Sequence, residues 1–96
     1  MNKYYYVYIL ASKFNGSLYV GVTSDLIKRV WQHKSEVVES FTSKYSIKTL
    51  VYYEQHLSIY EAIKREKRLK EWQRAWKIAL IEKNNKDWKD LYYELI

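Results

Sequence analysis

The chain has 96 residues, 48% of them hydrophobic and 29% charged, so it can build one modest core but not two. It contains no cysteine, which excludes disulfides, thiolate metal sites and cysteine nucleophiles and suits a reducing compartment. No apolar run approaches the ~20 residues of a membrane span, no secretory pattern opens the sequence, and a net charge of +6 points to a polyanion such as DNA or RNA. A soluble, cytoplasmic protein with no membrane partner is expected.

In chain order, Tyr4–Ala11 (YYYVYILA) is β-branched and aromatic and predicts a strand. SKFNG follows as a turn, with Asn15 and Gly16 able to take positive φ, and Ser17–Val22 returns as the second strand of a hairpin. Symmetric closure about the turn would set Tyr8 opposite Tyr19 on one face. Thr23 and Ser24 offer an N-cap and Asp25 a favourable first turn for a helix reaching about Lys34. Its Leu26, Val30 and His33 follow the spacing of a buried stripe, flanked by Arg29. The stretch SEVVESFTSKYSIK reads as a loop with one short helical turn. Leu50–Gln55 predicts a third strand, and Ser58 with Glu61 forms a capping box that should open a helix running to about Trp72. Arg74–Asn84 continues as a second helical stretch, and KDWKDLYYELI closes with another turn or two. Without a linker, repeat or low-complexity segment, residues 1–96 read as one domain.

The helix after Ser58 carries an anomaly. At 100° per residue, Ile59, Ala62, Ile63 and Leu69 define its apolar face, and Glu66 falls inside that stripe with Lys70 one turn further on. A carboxylate there is costly unless paired, hydrogen-bonded or bound to metal. A Glu66–Lys70 pair would be the bland solution and stabilises a helix by only about 0.2–0.5 kcal/mol. The other solution takes the polar outliers together. Tyr8 and Tyr19 from the hairpin, Arg29 and His33 from the first helix, and Glu66 can converge on one concave site. One carboxylate with Arg, His and two Tyr makes neither a nucleophilic triad nor a paired-carboxylate glycosidase. It suits phosphodiester hydrolysis, with Glu66 holding a hard divalent cation, Arg29 neutralising phosphate charge, and Tyr or His moving the proton of the attacking water.

These residues resemble the GIY-YIG nuclease superfamily, most closely its small single-domain bacterial members. Tyr6-Val7-Tyr8 stands where the family has its first tripeptide and Tyr19-Val20-Gly21 where it has its second. TSDLIKRVWQH fits the following helix, and EAIKREKRLK (Glu61–Lys70) is similar to the segment carrying the family's metal-binding glutamate, here Glu66. The likeness covers about Tyr4 to Leu91, with the motif-bearing core at about 4–83. It implies an α+β fold, a three-stranded antiparallel sheet flanked by helices, and a DNA endonuclease of the kind used in repair or recombination. It also implies roles: Tyr8 as general base or water-orienting residue, Tyr19 assisting by hydrogen bonding, Arg29 on the scissile phosphate, and His33 on phosphate or proton transfer. Glu66 would be the only protein ligand to Mg²⁺ or Mn²⁺. Two positions depart from the pattern. Tyr6 replaces the first glycine, and Val22 stands where the repair-nuclease branch has a lysine that would lower the barrier to ionising Tyr8.

Lys64, Arg65, Arg68, Lys70 and Arg74 crowd one helical region and are the candidate nucleic-acid contacts. Trp72, Trp76 and Trp88 read as core, whereas Trp31 is a candidate for base stacking; nothing is expected of His56. Lys70 is either an active-site cation or the partner of Glu66. So short a chain carries no separate recognition domain, so selectivity for structure or strandedness, or targeting by a protein partner, is expected over a long recognition site. The alternative is a binding or scaffold module that keeps the fold without cutting.

Overall fold

A computed structural model describes residues 3–35 and 41–96, with only the backbone of residue 41. Three strands, β1 (Tyr5–Ala11), β2 (Leu18–Thr23) and β3 (Thr49–His56), form an antiparallel sheet in the order β2-β1-β3. The helices are α1 (Leu26–Ser35), α2 (Phe41–Lys44), α3 (Ile59–Glu71), α4 (Arg74–Asn84) and α5 (Tyr92–Leu95). The α+β sheet-and-helix architecture expected from the sequence is present. Of the loop-and-turn stretch after α1, the helical turn is α2, and residues 36–40 lie outside the described residues.

The period-two alternation of β1 divides the molecule into two cores. Val7, Ile9 and Ala11 point to one face, where they meet Val20, Val51, Ala62, Leu69, Ile81 and Trp88 from β2, β3, α3, α4 and the C-terminal segment. Tyr8 and Leu10 point to the other, against Leu26, Val30, Ile47, Leu50 and Tyr92. Central β1 is thus covered on both faces, which explains its nearly continuous apolar sequence.

The hairpin register corrects one expectation. Tyr8 pairs with Gly21 and Leu10 with Tyr19, so the two tyrosines are diagonal neighbours on one face and not directly opposite. The turn is the reason. Ser12 N–H donates to Ser17 C=O and Gly16 N–H to Lys13 C=O, and Asn15 takes the left-handed conformation at φ 56°, so four residues close the loop. The two-residue shift keeps side-chain parity, so both rings stay on the same face.

The first helix also starts one residue later than its sequence suggested. Asp25 is the N-cap, its Oδ1 accepting from Lys28 N–H, while its own N–H donates to Thr23 Oγ1. Ser58 caps α3 as expected, accepting from Glu61 N–H. On α3, however, only Ala62 and Leu69 are buried; Ile59 and Ile63 are each 36% exposed. Small Ala62 seats the helix on a narrow sheet, and the stripe's flank overhangs into solvent. Trp88 is core and Trp72 half-buried, but Trp76 is exposed, against expectation.

The outer edge of β3 is occupied by the C-terminal segment. Leu91 N–H donates to Leu50 C=O, Asp90 Oδ1 accepts from Leu50 N–H, and buried Asn85 donates to the carbonyls of Val51 and Lys89. These bonds satisfy an edge that would otherwise be open to pairing. Among the described residues no helix is long and apolar enough to cross a membrane.

Candidate active site around the Tyr8 phenol

Tyr8 is placed by strand alternation and by what faces it. Its partner across β1–β2 is Gly21, and a Cβ built there would lie 2.5 Å from the phenol Cζ and Oη. The missing side chain is therefore the space in which the Tyr8 ring lies. Only 2% of Tyr8 is exposed.

Three further groups converge on this phenol. His33, in the last turn of α1, sets Nε2 3.1 Å from Tyr8 Oη. Tyr19 completes an aromatic triangle, its ring 6.4 Å from that of Tyr8 and 5.5 Å from that of His33. The other imidazole nitrogen, Nδ1, lies 2.7 Å from Oγ1 of buried Thr42 on α2. Sequence reasoning missed Thr42. A four-residue helix gives no periodic signal, and a lone threonine in an ambiguous stretch gives no chemical one.

The electrostatics draw in the remaining candidates. Burial, then the nearby Tyr19 phenol, push the Tyr8 pKa well above its ordinary value; Glu66 adds to the rise and the Arg29 guanidinium opposes it. Burial, followed by Arg29, holds His33 below the ordinary imidazole value. At neutral pH the pair is thus a protonated phenol beside a neutral imidazole. Arg29 lies one turn before His33 on α1 and is exposed, at the wall of a polar cleft of about 340 Å³ shared with Lys28 and Gln32. Glu66 acts on Tyr8 from α3, a helix whose buried residues belong to the opposite core. The other four candidates all act on Tyr8: His33 by a hydrogen bond, Tyr19 through its neighbouring ring, and Arg29 and Glu66 through their charge.

The residues at the two departures from the family pattern both pack against the sheet's cores. Tyr6 packs against the core containing Tyr8, and Val22 packs into the opposite core, on the other face of the sheet from the phenol. Among the described residues the hydrogen-bond partner of Tyr8 Oη is His33 alone.

The basic residues separate. Arg65 Nε donates to both carboxylate oxygens of Glu54 at 3.0 and 3.2 Å, and its guanidinium stacks over Trp72 at 5.2 Å. Arg74 donates to the carbonyls of Asn15 and Gly16 in the β1–β2 turn. Lys64 and Arg68 are exposed, but at 100° per residue they lie roughly 160° from Glu66 around α3, whereas Lys70 lies about 40° away. Lys70 Nζ is 2.9 Å from Glu66 Oε2, so the helix pair weighed from sequence is present.

The family model of the GIY-YIG catalytic domain matches residues 4–79. The chain belongs to the GIY-YIG family. Among relatives of this GIY-YIG protein, a UPF0213 protein of Bacillus pumilus is 38% identical over 81 residues, covering 84% of this chain and 80% of that one. A UPF0213 protein of Staphylococcus saprophyticus is 36% identical over 77 residues, covering 80% and 93%. The solution NMR structure of a UPF0213 protein from Bacillus halodurans superposes with a TM-score of 0.56 at 29% identity, covering 91% of this chain and 92% of that one. Family membership makes this a nuclease-type domain with nucleic acid as its substrate class, and GIY-YIG nucleases generally use divalent metal ions.

The residues present fit such an ion. Among the described residues no group of three His, Asp or Glu side chains gathers to cage a metal. Glu66 offers a hard carboxylate whose side chain is 14% exposed, with Lys70 on one of its oxygens. One carboxylate is how a hydrated Mg²⁺ or Mn²⁺ is commonly held, with water and phosphate oxygens completing the octahedron.

Proposed function

We propose that this protein is a divalent-metal-dependent endonuclease that hydrolyses DNA phosphodiester bonds, selecting substrates by structure or strandedness and not by a long sequence. The observation that carries the reading is the Tyr8–His33 hydrogen bond, with Arg29 and Glu66 acting on the same phenol. A phenol whose pKa is raised does not ionise by itself near neutral pH. It can instead pass a proton along. As the oxygen of a water bonds to phosphorus, the water's proton moves to Tyr8 Oη, and the phenolic proton moves to His33 Nε2. The bond from phosphorus to the leaving sugar oxygen breaks, and solvent protonates that oxygen. The scheme needs no neighbouring ammonium, which accounts for a valine at position 22.

Arg29 is exposed and carries a fixed charge one helical turn from the relay, suited to neutralising the negative charge that builds on the phosphate. Glu66 would hold Mg²⁺ or Mn²⁺, which when bound polarises the phosphate and lowers the pKa of its water. Tyr19 packs against both relay rings and limits their movement. Lys70, beside Glu66, is the candidate strand contact nearest the site; Lys64 and Arg68 would supply a more distant phosphate footprint, while Arg65 and Arg74 direct their guanidinium bonds to Glu54 and to the β1–β2 turn. The cysteine-free composition supports a cytoplasmic setting, and a protein partner would supply targeting.

The test is a cleavage panel. Purified protein is incubated with single-stranded, duplex, nicked and branched DNA, and with RNA, under Mg²⁺, Mn²⁺ or EDTA. Cutting of DNA with either metal, abolished by EDTA and strongest on non-duplex substrates, is expected. Folded protein that binds DNA but cuts none of these substrates would overturn the reading in favour of a binding or scaffold module.

A further inference from the structure

The relay requires a particular imidazole tautomer. A neutral imidazole carries one N–H, and the nitrogen without it is the acceptor. Tyr8 is 98% buried, and among the described residues the acceptor in reach of its phenolic O–H is His33 Nε2 at 3.1 Å. Nε2 can accept only when the proton sits on Nδ1. Nδ1 lies 2.7 Å from Thr42 Oγ1, a short contact to a side chain that is 1% exposed. A hydroxyl can accept from the ring while donating elsewhere, so it tolerates this arrangement without strain.

We propose that Thr42 is a positioning residue that keeps the His33 proton on Nδ1, presenting Nε2 to the Tyr8 phenol. The inference rests on the relay reading of the site, but its geometry belongs to this chain's α1–α2 pairing. Hydrogen bonding to one ring nitrogen fixes what the other can do, and losing the outer partner of a metal-ligating histidine typically costs about ten- to hundredfold in activity, a loss of the size expected here. Thr42 touches neither substrate nor reacting atoms, so its effect should fall on turnover and leave substrate binding alone.

The test uses the full chain labelled with ¹⁵N in histidine. Long-range ¹H–¹⁵N correlation at pH 7.5 reports which ring nitrogen is protonated, with His33→Gln used to assign the signals. The expected result in the wild type is an Nδ1–H resonance for His33 and an unprotonated Nε2. An Nε2–H tautomer in the wild type overturns the proposal outright, whatever the activity. Thr42→Val, which keeps the shape, should lose the Nδ1–H preference and lower kcat about ten- to hundredfold with KM unchanged. Thr42→Ser should restore both. If Thr42→Val does not fold, Thr42→Ser still decides: a retained tautomer supports the proposal, and an altered one in a folded protein overturns it. A correct, Thr42-dependent tautomer in a protein that cuts no substrate would leave Thr42's role standing and bring down the nuclease reading instead.

Discussion

On the α3 side of the sheet, Tyr52, Glu54, His56 and Arg65 form a polar cluster; around the Tyr8 phenol, Tyr, Glu, His and Arg meet again. In the first, one carboxylate receives everything: Tyr52 Oη and His56 Nε2 donate to Glu54, and Arg65 Nε reaches both its oxygens. Burial works to raise the Glu54 carboxyl, yet the bonds from Tyr52, His56 and Arg65 outweigh it and hold its pKa below the ordinary value. That set is closed, and its effect is to clamp α3 to β3. In the second, the carboxylate and the phenol do not bond. Tyr8 Oη is hydrogen-bonded to His33 Nε2, Glu66 meets Lys70, and Arg29 is exposed to solvent. The same residue types make a brace where their charges cancel internally and, on the reading proposed above, a site where a cation and an anion would bind from outside.

The two glutamates separate these cases most strongly. Glu66→Gln keeps shape and removes the anionic oxygen that a hard cation requires. Cleavage should fall about a thousandfold or more, the several kcal/mol a metal supplies to a phosphate transition state, with Mn²⁺ affinity lost in titration. Stability should change by less than about 0.5 kcal/mol, the worth of the helix pair with half-exposed Lys70. Glu54→Gln should do the reverse, costing about 1–3 kcal/mol in urea unfolding through lost charge-assisted bonds while metal-dependent cutting persists. Wild-type cleavage by folded Glu66→Gln would erase the distinction.

The arginines repeat the contrast at smaller amplitude. Arg29→Ala should leave the unfolding midpoint nearly unchanged and cost a hundred- to thousandfold in kcat, as removal of a preorganised charge donor does, or roughly 2.7–4 kcal/mol. Arg65→Ala should cut normally and unfold earlier, by about 1–2 kcal/mol, because Glu54 loses its cation and Trp72 its stacking partner. An Arg29→Ala protein that unfolds while its folded fraction turns over normally would move Arg29 into the bracing class.

How far this division could be read beforehand follows from the physics of each signal. Strands, helix spans and the Ser58 cap were legible because alternation, turn residues and a capping box act locally, whereas the α1 N-cap fell on Asp25 and not on Thr23 or Ser24. The hairpin register was not legible, since it depends on Asn15 adopting positive φ in a four-residue loop; parity nevertheless kept Tyr8 and Tyr19 on one face. The buried stripe of α3 was drawn too wide because helical period does not say how broad a surface the sheet offers, and Ile59 and Ile63 overhang it. A charge run likewise cannot tell Arg65, bound to Glu54, from exposed Arg68. His56 looked idle because its partner lies two residues back along the same strand face, where helical and motif patterns do not look.

Geometry gives a third, still smaller break. Gly21→Ala would bring a methyl to 2.5 Å from the phenol, and the ring, held by His33, has no flexible end to yield. Displacement of the hydroxyl by about 1 Å should cost about a hundredfold in turnover, and overpacking about 1–3 kcal/mol in stability. Near-normal cleavage by Gly21→Ala would mean that the Tyr8–His33 contact is not part of the reaction.

The gentlest probe is pH, because it separates the clusters without a mutation. His33 must be neutral to accept the phenolic proton, and its folded pKa lies below the ordinary 6.5 through burial and then Arg29. Turnover should therefore be flat near neutrality and fall with unit slope only below that depressed pKa. Stability follows the same sign: the neutral ring favours the folded state, so its contribution is complete above 6.5 and is lost as pH falls through the folded value. Glu54 is also depressed, but from 4.5, so the stability it contributes is complete above 4.5 and is lost only as the pH falls from there through the lower folded value. Between these windows the protein should stay folded and braced while cleavage declines. Circular dichroism and cleavage rates measured together from pH 7.5 to 4 would show it. An activity loss that tracks unfolding point for point would place His33 in the frame of the molecule and leave the Tyr8 proton with no acceptor.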